Sequence, residues 1–210
     1  MAAQAQALRR ACASGPGSAR RGVKAQMNEL EFIREQVRLE RQHMAEVRQA
    51  LESALATDAT LTEFCQSAAR YLVFVVQRFN AQDQIHCDQL GPRLDPNDAA
   101  NSESLRSLAA TLARSRAAIA ELESALGADA VTTLPRECRR YLQFYRTELL
   151  TRKNVLYPLL VLHYDIGDWR RASLVTADSI LTERELYAAV QARLPQGVEL
   201  KSAGRPASSA

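Results

Sequence analysis

Much of what other folds depend on is scarce in this chain, and each shortage excludes something. Aromatic residues make up 6% of the 210, and no apolar run approaches the roughly eighteen residues that a membrane-spanning helix needs. Eight Gly and seven Pro fall almost entirely between or outside the periodic segments, which favours helices over a sheet. Four cysteines stand at positions 12, 65, 87 and 138 with no CxxC pair, so neither a zinc knuckle nor a dithiol relay is indicated. Cys65 and Cys138 sit on core seams as small hydrophobes, and a reducing, cytoplasmic setting follows as the default. There is no glycine-rich phosphate loop and no Ser, His and Asp set with a nucleophile turn. Lys and Arg exceed Asp and Glu by three, but five of the cations (Arg9, Arg10, Arg20, Arg21 and Lys24) precede Glu29 with no acid among them. The rest is close to neutral, so neither nucleic acid nor an acidic membrane is an expected partner.

What the chain does have is four helical seams. At alternating three- and four-residue steps the first runs Leu30, Ile33, Val37, Glu40, Met44, Val47, Leu51, and the second Leu61, Cys65, Ala68, Leu72, Val75, Phe79, Gln82, His86. The third runs Leu105, Leu108, Leu112, Ser115, Ile119, Leu122, Leu126, and the fourth Cys138, Tyr141, Tyr145, Glu148, Arg152, Val155, Leu159. This is the core stripe of a bundle helix, and each stripe is interrupted by something polar. Buried polar groups are costly unless partnered, so the notches ask for a metal, a ligand or one another.

The expected fold is all-α: an up-down-up-down four-helix bundle with an additional C-terminal helix. Residues 1–26 read as a disordered basic leader, with an organellar transit peptide as the alternative. The bundle covers 27–166, a helical extension 167–195, and a disordered tail 196–210. Helix one is expected from Asn28 to Ala56, and helix two from a Thr60 and Glu63 capping box to Leu90. Helix three runs from Ser102 to Gly127, and helix four from Thr133 and Pro135 to Tyr164, loosened around Asn154 by Pro158. Thr182 and Glu185 open the last helix, which ends before Pro195, and the segment from Asp168 to Leu200 serves as a dimerisation element or as a lid over one bundle end.

Folding each hairpin about its loop brings Glu40 level with about Gln77, one turn before Asn80, and Ser115 level with Tyr145, within a turn of Glu148. Glu40, Asn80, Ser115, Tyr145 and Glu148 then share one layer, while Asp83 and His86 approach Arg152 and Lys153 in the next. Glu40-x-x-His43 and Asp83-x-x-His86 both match the carboxylate and histidine spacing of ferritin-like di-iron bundles. The level count keeps the two pairs apart, which leaves His43 a solvated or flanking role. Asp165 and His163 near Trp169 cap a helix end or line a small pocket.

Four segments resemble, helix by helix, the bacterial hemerythrin-like (HHE cation-binding) domains: LERQHMAEVRQALESAL, YLVFVVQRFNAQDQIHCDQLGPRL, LRSLAATLARSRAAIAELESAL and YLQFYRTELLTRKNVLYPLL, with Leu156-Tyr157-Pro158 the most distinctive match. The resemblance covers roughly residues 28 to 166 and implies a bundle that holds two irons through histidines and bridging carboxylates to bind or sense oxygen, store iron or respond to redox stress. Position by position, the first-helix histidine is His43. The second-helix histidine and glutamate fall on Asn80 and Gln84, the third-helix histidine on Ser115 or Arg114, the fourth on Glu148, and the later acids on Arg152 and Lys153.

A histidine-rich di-iron site needs about five imidazoles, and the chain has three histidines in all. Side-chain cations in place of metal are the expectation, with Asp83 and Glu148 paired to Arg152, Lys153 or His86. The expected function is a non-enzymatic binding or sensing module, acting through a small ligand or a protein partner, with a homodimer compatible. The alternatives are an iron-binding protein, its metal held by Glu40, His43, Asp83, His86 and Glu148 or by a mononuclear subset of them, and a ferritin-like di-iron carboxylate enzyme.

Overall fold

In the computed structural model, backbone is described for residues 16–57, 62–127 and 130–200, and side chains for 31–57, 62–127, 133–146, 154–165 and 167–200. The described residues are helical with no strand: α1 (Pro16–Thr57), α2 (Thr62–Leu90), a 3-10 turn (Gly91–Arg93), α3 (Ala99–Gly127), α4 (Ala130–Thr151), a π-helical turn (Arg152–Leu156), α5 (Tyr157–His163), α6 (Ile166–Ala172) and α7 (Ala177–Gln191). No described helix is long and apolar enough to cross a membrane.

Several boundaries differ from the sequence expectation. α1 starts at Pro16, not Asn28, because the intervening Ala, Arg, Lys and Gln are strong helix formers behind a proline suited to a first turn. The expected Thr60 cap and residues 1–15 and 201–210 lie outside the described residues. α3 begins ahead of Ser102, where Asp98 Oδ1 accepts the Ala100 N–H at 2.8 Å. α4 begins before Thr133 and carries Pro135 inside it. The loosening expected around Asn154 takes the form of a π-helical turn, since Pro158 has no N–H to give the Asn154 carbonyl.

The C-terminal region departs most. α6 was not anticipated; a reciprocal box between Asp165 and Asp168 starts it. α7 opens at Thr176 with Ser179 as its box partner, not at Thr182 and Glu185, because Thr176 is the residue left extended ahead of the first turn. It is not a lid over one end. It packs along α1 and α2 and sends Val190, fully buried, into the main core.

α2 is the central element, touched by α1, α3, α4 and α7. The larger apolar cluster joins Val47 and Leu51 of α1, Leu72 and Val75 of α2, Ile119 and Leu122 of α3, and Leu134 and Cys138 of α4. Each such large side chain taken from water contributes roughly 1.5–3 kcal/mol. A smaller cluster gathers Leu90, Leu94, Leu108, Leu156 and Leu160, with Trp169 packed against it. Along α2 and α3 the buried Asn80, Gln82, His86 and Ser115 lie between the two.

Candidate ligand-binding groove

The seam notches among the described side chains are buried, and most find partners inside the protein. Glu40 is 2% exposed and forms an ion pair with Arg78 of α2. Burial works against the Arg78 charge and the nearby Glu183 carboxylate supports it. Ser115 donates to Asn80 Oδ1 at 2.8 Å. Tyr145 is buried beneath the Arg48 guanidinium, whose carbon lies 3.4 Å from the ring centre. The side chains of Glu148, Arg152 and Lys153 lie outside the described ones, so the pairings expected of them do too.

His43 is neither solvated nor flanking. Its Nδ1 lies 2.9 Å from Glu183 Oε1 of α7, and its ring stacks on Tyr187 at 3.8 Å between centres. The buried Tyr71 hydroxyl donates to the same Glu183 oxygen at 2.9 Å, and Tyr187 donates to Glu46. Burial and, after it, the Glu183 charge push Tyr71 far up, so it stays a protonated donor. Sequence reasoning missed Arg78, Glu46 and Glu183. Among the described residues, no group of three or more His, Cys, Asp or Glu is placed to hold a metal ion.

His86 is not the cationic partner that was expected. It is 3% exposed, and burial followed by the Arg41 charge brings its pKa down to about 4, leaving the ring neutral at pH 7. Its Nδ1 meets the Tyr164 hydroxyl at 3.0 Å, and its ring sits edge-on to Trp169, centres 5.9 Å apart. Burial raises Tyr164 to about 12, so that hydroxyl also keeps its proton.

Trp169 is held there by Asp168, fully buried, which takes both Arg93 terminal nitrogens, at 2.5 and 2.7 Å, and a further contact from Arg171. Above all, the Arg93 hydrogen bonds hold the Asp168 carboxyl well below the usual range. Asp165 caps the start of α6, while His163 stands in the last turn of α5, at the helix C-terminus expected of it.

These residues surround an open groove of about 400 Å³. Tyr157 and Trp169 supply its aromatic wall, Val37 an aliphatic one, Gln82 and His86 its buried polar groups, and Arg34, Arg38 and Arg41 its rim. A second hollow of about 350 Å³ shares Arg41, Asp83 and Tyr157 with the first and continues towards Arg48. Arg41, its guanidinium carbon 5.0 Å from the Tyr157 ring centre, stands where the two meet. Volume, apolar walls and a few convergent polar groups suit a small organic molecule. Compared with family models, curated proteins and solved structures, the chain finds no match.

Proposed function

We propose that this protein is a non-enzymatic binding or sensing module of hemerythrin-like build, in which α1 to α4 form an up-down-up-down bundle and a small ligand is taken up beside the polar layer. In this reading the positions that hold iron in hemerythrin-like domains are given over to internal pairs. Asn80 with Ser115, at two of those positions, supports it, and Glu40 with Arg78 gives a further seam notch an internal ion-pair partner. A reducing compartment such as the cytoplasm suits the buried, unbridged thiols of Cys65 and Cys138. The observation that carries the proposal is the groove of about 400 Å³ between Tyr157, Trp169, Gln82 and His86.

Trp169 is the single tryptophan of the chain and lines that groove, so its emission reports occupancy. Titration with 1-anilinonaphthalene-8-sulfonate should change that emission and saturate at one dye per chain. Failure to saturate would overturn the binding reading. Protein from iron-supplemented cells should carry far less than stoichiometric iron and no charge-transfer band; stoichiometric iron would restore the metalloprotein alternative.

A further inference from the structure

The rim of the groove carries more positive charge than its own carboxylates answer. Arg34, Arg38 and Arg41 are spaced four and three residues apart on α1, so they project from one face of that helix. Arg38 is taken by Glu35, with Nε to Oε2 at 2.8 Å. Arg34 and Arg41 have no carboxylate partner among the described residues. Arg41 is instead supported by rings, 5.0 Å from the Tyr157 centre and 5.8 Å from that of Phe79. A guanidinium supported by ring faces and without a carboxylate partner has N–H groups to offer, and their fork fits the two oxygens of a carboxylate or the oxygens of a sulfonate or phosphate.

Below the rim the chemistry changes. Tyr157, Trp169, Ile33 and Val37 make the walls apolar, Gln82 and a neutral His86 offer hydrogen bonds without charge, and Asp83, the carboxylate of the lining, has a partner of its own. A hydrophilic anion such as inorganic phosphate would satisfy the rim and leave the walls wet. A neutral hydrocarbon would fill the walls and leave two guanidiniums unanswered.

We infer that the ligand is an amphipathic anion, with one compact anionic head held by Arg34 and Arg41 and a ring or acyl body lying between Val37, Tyr157 and Trp169. This rests on the binding reading above and specifies its ligand class.

The test compares probes that share a body and differ in charge: 1-anilinonaphthalene-8-sulfonate against the uncharged N-phenyl-1-naphthylamine, with the full chain and Trp169 emission as readout. The sulfonate should bind at least about tenfold more tightly. Arg41→Gln, and separately Arg34→Gln, should weaken the sulfonate about ten- to a hundredfold, the range expected for losing a hydrogen bond to a charged group, and leave the uncharged dye unchanged. Both arginines are exposed, so neither change threatens folding. Displacement of the sulfonate by decanoate or by 2-naphthoate, but not by decanol or by inorganic phosphate, would tell an acyl from an aromatic source of the anion. Equal affinity for the two dyes, or indifference to both arginine changes, would overturn the anionic ligand and leave the groove as a neutral binding site. Binding of neither dye would overturn the binding reading itself.

Discussion

At the scale of single residues, the pair of Glu40 with Arg78 decides how the polar layer is stabilised. Both side chains are nearly out of water, at 2% and 9% exposure, so removing one strands the other. Arg78→Met should cost about 3–5 kcal/mol in urea unfolding, and the double change with Glu40→Leu should recover most of it or more. The level count pointed at the right height, since it set Glu40 beside Gln77, next to Arg78. The partner was missed because Arg78 lies one position off the α2 seam, before Phe79, where a cation ordinarily faces solvent. His86 was legible as a buried polar group, but not its charge state, which depends on how deeply the fold buries it and on the nearby Arg41 charge, neither of which the seam pattern reveals. Its pKa is about 4 folded against 6.5 unfolded, so between those values the unfolded chain binds the extra proton. The contribution is complete above pH 6.5 and is lost as the pH falls towards 4, by about 3 kcal/mol at most. His86→Gln should flatten that acid limb in a stability-versus-pH series.

At the scale of elements, the four long helices were readable from their periodicity because burial of one face dictates them. The ends were less so. Asp98 and Thr176 cap helices whose starts were expected elsewhere, since several Ser, Thr and Asp residues stand near each start and only the backbone conformation selects one, and Asp165 caps a helix that was not anticipated. α7 could not be placed from its pattern, because polar contacts hold it as well as the packing of Leu186 and Val190 in the main core. Glu183 serves His43 and Tyr71 at 2.9 Å each, and Tyr187 stacks on His43. Glu183→Ala leaves a buried hydroxyl and a ring nitrogen without that acceptor and should cost about 1–3 kcal/mol in chemical unfolding, whereas Glu185→Ala, two positions on and exposed, should be neutral.

At the scale of the whole molecule, the buried polar residues separate two apolar clusters, and the groove opens beside them. The sequence made the polar layer visible as interrupted seams. It did not reveal that a hollow adjoins the layer, because a cavity depends on how helices from distant parts of the chain fail to meet. The aromatic wall combines Tyr157, near the end of the fourth seam, with Trp169, from a short helix that carries no periodic signature.

The π-helical turn at Arg152–Leu156 gives that wall its geometry. Such a turn is one residue longer than the stretch of α-helix it replaces, so everything after it is rotated about the axis by about 100°. Deleting a single amino acid there would return α4 and its continuation to a regular screw and swing the Tyr157 ring a quarter-turn aside, taking with it the platform on which Arg41 rests. The ability to receive a guest would then trace to an insertion in a spacer, not to any side chain that touches the guest.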